Sequence, residues 1–207
     1  MFRFSWFKKT LTLFIRWIND LFWVLKQSVK YHKYNQVGAF GINMRMFVDL
    51  IKTNTKLEVK NLFEIGANFA QDAQYLAYKF RIKPQDVYVF EAHPELYKAI
   101  TKLHKFNAYN NAVYNTEEII DFNLVPSNSK NPGGSSIIWG QNVWEKISVE
   151  AIRMDSFMNK NNIDKIDFLK LDVEGVSYQV LDGFGERIKD IQTMHIEAEH
   201  EKWGGWG

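Results

Sequence analysis

Asn61-Leu-Phe-Glu-Ile-Gly-Ala-Asn-Phe-Ala-Gln-Asp72 is a short apolar run that breaks at a glycine and continues with helical spacing to about Phe80. It reads as strand, tight turn, helix. Leu62, Phe63 and Ile65 form a segment too short for a helix, Gly66 allows a backbone path that other residues resist, and Asn68 is the expected helix cap. A turn of this kind aims backbone N–H groups outward at the carboxyl end of a strand, where open α/β sheets bind nucleotide-like ligands. One glycine stands where the dinucleotide fingerprint has three, with Asn68 and Ala70 in the other two places, so the turn alone does not distinguish a ligand site from an ordinary connection.

A second strand at the expected distance favours the ligand site. Val87-Tyr-Val-Phe-Glu-Ala92 ends in an acid, Glu91, 25 residues beyond Gly66, close to where nucleoside-binding sheets carry the carboxylate that grips ribose hydroxyls. Pro84 prevents the intervening helix from continuing. Pro94 then opens a helix with Leu96, Ile100, Leu103 and Phe106 at helical spacing. Asn107 to Asn111 breaks it, Ala112-Val-Tyr114 reads as a third strand, and Glu118 to Val125 alternates as a further one. Residues 126–136, rich in Ser, Asn, Pro and Gly, are a loop and a candidate lid or substrate contact. Lys146 to Met154 reads as a strand able to pair with the one before the loop, and Asp155 as the cap of a helix to about Asn161. Ile166-Asp-Phe-Leu-Lys-Leu-Asp-Val-Glu-Gly175 is a strand ending in Asp172 and Glu174. A helix follows, and Thr193 to Glu199 alternates as a last strand reaching His200. Strands alternating with helices of this length predict βαβ units and a mostly parallel sheet in an α/β fold.

The 207 residues are 46% hydrophobic and 15% aromatic, enough for one domain with an appendage, and contain no cysteine, which excludes disulfides, thiolate metal sites and thiol nucleophiles. The net charge of +2 conceals an asymmetry: residues 1–36 hold seven Lys or Arg and one acid, leaving 19 basic and 23 acidic residues in the remainder. A main domain that is mildly acidic argues against a nucleic-acid substrate. The expected domains are therefore an aromatic, basic helix over 1–36 and an α/β domain over 37–207. On a helical projection Phe7, Leu11, Phe14, Ile15, Ile18, Leu21, Phe22, Leu25 and Val29 share one face, with Lys9, Arg16, Asp20, Lys26 and Lys30 opposite. Arg16, Asn19 and Asp20 interrupt the run, so it is too polar to span a bilayer. Two readings stand: an interfacial membrane helix, or one that folds onto its own domain or a second copy. Ile42 to Lys52 predicts a further helix with Met44, Phe47, Val48 and Ile51 inward. The expected location is the cytoplasm, with peripheral membrane contact if the first reading holds.

The strand ends at Gly66, Glu91, Ala112, Asp172 and Glu197 are expected along one sheet edge, which then gathers Glu64, Glu91, Asp172, Glu174 and Glu197. So many acids in one cleft call for a cationic ligand, a metal or raised pKa values. S-adenosylmethionine, cationic at its sulfonium and amino groups and carrying a ribose diol, suits such a cleft better than NAD with its anionic pyrophosphate.

Five blocks, Phe-Glu-Ile-Gly-Ala-Asn at 63–68, Val-Phe-Glu-Ala-His-Pro at 89–94, Asn-Ala-Val at 111–113, Gly-Gly-Ser-Ser at 133–136 and Asp-Phe-Leu-Lys-Leu-Asp-Val-Glu-Gly at 167–175, together resemble the FkbM family of class I S-adenosylmethionine-dependent methyltransferases. The resemblance runs over roughly 60–200 and implies a Rossmann-like three-layer sandwich. It implies that Glu64, Gly66 and Asn68, with Ala67, cradle the methionine part of the cofactor. Glu91 with Ala92 would hold the ribose, Asn111 and Ala112 would flank the adenine, and Asp172 would border both cofactor and acceptor. Asp172, His195 and Glu197 are the expected catalytic residues, with His93 and His200 as further proton acceptors, and no metal is expected. A divalent ion on the His/Glu cluster is the alternative. Ala70 departs from the family's usual glycine, and the chain ends soon after His200, which predicts a shortened carboxyl end and a fifth-strand edge covered by another segment or a second copy. The expected acceptor is a hydroxyl on a sugar, glycan or small metabolite. The alternatives are a non-catalytic, membrane-associated binding module on the same fold and a nucleic-acid methyltransferase.

Overall fold

The computed structural model describes residues 15, 18–23, 25–27, 29, 44–54, 57–126, 134–138 and 145–197. The chain divides into two units, Met1–Phe40 and Gly41–Gly207. In the first, the described residues are helical.

The second unit is built on five parallel strands: β1 (Leu62–Ile65), β2 (Val87–Phe90), β3 (Asn107–Tyr109), β7 (Phe168–Leu171) and β8 (Met194–Ile196), in the order β3-β2-β1-β7-β8. A second sheet, β4-β6-β5, comprises β4 (Ala112–Val113), β5 (Ile119–Leu124) and β6 (Glu145–Ile152), with β5 and β6 forming the expected antiparallel hairpin. The helices are α1 (Arg45–Asn54), α2 (Gln71–Phe80), α3 (Pro94–Leu103), α4 (Met154–Lys160) and α5 (Ser177–Asp182). From β1 the chain steps through α2 and α3 towards β3; from β7 it steps through α5 in the opposite direction, to β8. Right-handed crossovers therefore put α2 and α3 on one face and α5 on the other, and the order reverses between β1 and β7. That reversal is the switch point at which such sheets open a ligand crevice.

Alternation along the strands divides the core. Phe63, Ile65, Phe90, Leu169 and Leu171 pack with Met154, Phe157 and Met158 of α4, and with Val176, Val180 and Phe184 around α5. Phe157 meets Phe90 edge-on with ring centres 5.0 Å apart. On the other face Phe168 receives Phe47 of α1 and Phe80 of α2, at 5.5 and 6.0 Å. Met44, just before α1, and Val48 and Ile51 within it are buried as the spacing predicts, and Phe47 is half-buried.

Three local expectations are corrected. The third strand of the main sheet is Asn107–Tyr109, and Ala112–Val113 instead pairs with β6. Asn68 does not cap α2: the cap position is Ala70, in a left-handed conformation with no side-chain bond. The amide of Ala73 in the first turn donates instead to Glu64 Oε2, 3.1 Å away, so a strand carboxylate satisfies an amide that the cap leaves open. Asp155 lies inside α4 rather than before it, held by Arg153, the residue at the cap.

Candidate functional site

The turn after β1 is fixed by two donations to one carbonyl: the amides of Gly66 and Ala67 both reach Phe90 O at 3.1 Å. Gly66 has φ +78°, and a Cβ there would lie 1.7 Å from the backbone oxygen of Asp172. The positive φ favours glycine, and the close approach requires it. Asn68 and Ala70 follow with φ of 51° and 55°.

This turn presents its next amide to Glu91. Glu91 Oε2 accepts from Asn68 N–H at 2.6 Å, and Oε1 from His93 N–H at 2.8 Å. The carboxyl group is buried, and burial pushes its pKa up to about 7 against the pull of the two amides. Asn110 Nδ2 donates to the carbonyls of Glu91 and Ala92, which fixes the chain beyond β2.

These elements surround a cavity that is partly open to solvent. Gly66, Asn68, Glu91 and Ala92 line it from the first two strand ends, Asn111 and Ala112 from the start of β4, and Asp172 and Glu174 from the end of β7. Apolar surface comes from Ile65, Phe90, Val113, Phe122, Ile137, Val173 and Val176. Asn111 is held by its amide, which donates to Glu150 Oε2 at 3.0 Å. Ser136 Oγ donates to Glu174 O at 2.7 Å, tying the hairpin wall to the turn after β7. Glu174 has φ +47°, an uncommon conformation for a non-glycine residue and one that clusters at functional sites. Asn68 Oδ1 is buried with no donor among the described residues.

Not every residue expected at the cavity is there. Glu64 is buried on the opposite face of the sheet, outside the cavity lining, where Lys170 Nζ approaches its Oε1 at 3.6 Å, Asp72 at 3.1 Å and Asp172 at 3.0 Å. Burial pushes the Glu64 carboxyl up to about 8, with Lys170 opposing. Burial also works against the charge on Lys170, but the carboxylates of Glu64, Asp72 and Asp172 more than offset it and hold the ammonium charged. His195 lies in the same cross-strand row as Glu64 and Lys170, its ring 5.0 Å from that of Phe47, and does not line the cavity. Glu197 follows β8, exposed and also outside the lining. His93 caps α3, its Nδ1 accepting from Glu95 N–H and its Nε2 meeting Val125 O at 3.0 Å. Both ring nitrogens are therefore used in holding the fold. Ala67 is buried and contributes its amide to the turn. His200 lies outside the described residues. Among the described residues no three of His, Asp or Glu converge as a metal-binding group.

The sequence reading gave Lys170 no role and left Val113, Phe122 and Ile137 out of the site. Val113 comes from β4, Phe122 from β5 and Ile137 from the segment between β5 and β6, and no local pattern encodes the position of this second sheet over the strand ends.

Residues 64–206 match the methyltransferase FkbM domain. The chain belongs to the FkbM methyltransferase family. The match takes in the turn, Glu91, the hairpin and the β7 end, so all the cavity-lining residues lie within it. Among solved structures the chain is similar to a methyltransferase FkbM from Methylobacillus flagellatus KT, with 13% identity and a TM-score of 0.47; the likeness covers 68% of this chain and 33% of that one. This chain thus corresponds to about a third of that protein's length. No curated protein matches the sequence.

Proposed function

We propose that this FkbM methyltransferase uses S-adenosylmethionine and methylates a hydroxyl of a sugar, glycan or small metabolite. The observation that carries this reading is the charge of the cavity at the sheet's switch point. Among the described residues its charged lining is acidic, Glu91, Asp172 and Glu174, and the nearby Lys170 is turned to the other face. A cationic ligand is attracted there and an anionic dinucleotide repelled.

The residues fit the donor. Each Glu91 oxygen already accepts one amide and keeps lone-pair capacity for a ribose hydroxyl. The orphaned Asn68 Oδ1 needs a donor, which an ammonium group provides. Asn111, Ala112 and Val113 offer an edge amide and apolar surface suited to an adenine ring. When bound, S-adenosylmethionine supplies an electrophilic methyl group on a sulfonium. The chain's part is to align an acceptor hydroxyl in line with that group, which contributes much of the acceleration in such displacements. The proton leaving the hydroxyl goes to a carboxylate at the cavity, Asp172 being the one braced by Lys170.

Calorimetry with S-adenosylhomocysteine tests the cofactor half. Binding is expected, and Glu91→Ala should weaken it by about tenfold or more, the scale of lost charge-assisted hydrogen bonds. Absence of binding at millimolar ligand rejects the reading. For the acceptor half, Asp172→Asn should retain S-adenosylhomocysteine binding while losing transfer of labelled methyl to hydroxylated acceptors.

A further inference from the structure

The described helical residues of the first unit carry an exposed apolar stripe. On a 3.6-residue period Ile15, Ile18, Leu21, Phe22, Leu25 and Val29 fall within an arc of roughly 120°. Phe22 is 67% and Val29 80% exposed; Ile15, Leu21 and Leu25 are also exposed, and Ile18 is half-buried. Gln27, on the opposite side of the helix, is only 4% exposed. A helix that packs on a core has the reverse arrangement.

We propose that this stripe docks on an anionic lipid bilayer, with the helix lying in the interface. Charge selects that occupant over a second copy of the chain. Residues 1–36 carry seven Lys or Arg against one acid, so two such segments repel each other whereas a negatively charged surface attracts them. Lys26 is exposed and falls at the edge of the stripe, about 20° beyond Ile15 rather than fully opposite, so that its stem would follow the apolar surface while its ammonium meets headgroup phosphates. Among the described residues no helix is long and apolar enough to cross a membrane. The proposal is independent of what the cavity binds.

Flotation of the full chain with vesicles tests it. The chain should float with phosphatidylcholine vesicles containing phosphatidylserine and not with phosphatidylcholine alone, and added salt should release it. Phe22→Glu combined with Leu25→Glu should weaken recovery by about tenfold or more. Lys26→Glu, a change at an exposed position, should weaken it by about tenfold through charge alone. Circular dichroism that matches the unaltered chain shows that each variant is folded. The proposal is overturned if the chain ignores phosphatidylserine vesicles or if the folded variants float as well as the unaltered chain. It is also overturned if the double variant dissolves a dimer seen by ultracentrifugation while no vesicle binding occurs.

Discussion

Lys170 binds three carboxylates with one buried ammonium, and two of them flank the turn that shapes the cavity: Asp72 begins α2 and Asp172 ends β7. Replacing it by methionine keeps the length and removes the charge. Glu64 is then buried without a cation, and breaking such a pair costs about 3 kcal/mol. Lys170→Met should therefore lower the denaturant midpoint at pH 8, and acidification to pH 6.5 should recover part of the loss as Glu64 takes up a proton. Glu64→Gln in the same chain should recover it at both pH values. A Lys170→Met variant whose loss is the same at both pH values contradicts this account. In the sequence Lys170 is merely the polar residue of an alternating strand. Its role depends on the register that sets it beside Glu64, and register is a property of two strands.

Elements with an apolar run and a sharp boundary were legible: β1, β2, β7 and the α1 periodicity follow from residue pattern alone. β3 was not, because Asn107–Tyr109 is three half-buried residues with no apolar run, paired at the sheet edge. The turn after β1 was legible as a turn, but its strictest demand was not. Asn68 and Ala70 also have positive φ, so conformation does not single out Gly66. The approach of the Asp172 carbonyl does. Gly66→Ala forces backbone against backbone where Asp172 N–H also bonds Ile65 O at 3.0 Å, so β1 and β7 must separate. We expect a loss of about 4 kcal/mol or failure to fold, as for other severe backbone clashes. Ala70→Gly relieves left-handed strain while adding chain entropy, and should stay within about 1 kcal/mol of the parent. Thermal unfolding of the pair checks this: similar midpoints would mean that the close approach does not govern the turn.

At the scale of the whole molecule, two buried carboxyl groups set how stability responds to pH. Burial raises Glu91 to about 7 and Glu64 to about 8 from the ordinary glutamate value of 4.5. Over this range the folded chain holds protons that the unfolded chain has released, so stability must fall as pH rises through both values. Other shifted groups act elsewhere. Burial lowers His93 and His195 below their ordinary 6.5, so their contribution is lost only as pH falls beneath that value. Asp155, held down first by its bond from Arg153, finishes titrating in acid. So does Asp167, where burial is outweighed by Lys165 and the amides of Lys60 and Asn61. The glutamates therefore dominate between pH 6.5 and 8, and about 2 kcal/mol should be lost across that window. Nucleoside binding should move the other way, because an ionised Glu91 accepts ribose hydroxyls and attracts a cation better than a neutral one. Denaturation midpoints should fall from pH 6.5 to 8 while S-adenosylmethionine affinity rises over the same interval. Glu91→Gln should flatten the affinity profile, and Glu64→Gln should reduce the stability slope while leaving the affinity profile in place. Affinity that falls together with stability would show that the ionised carboxylate does not serve the ligand, and the charge argument for the cavity would fail with it.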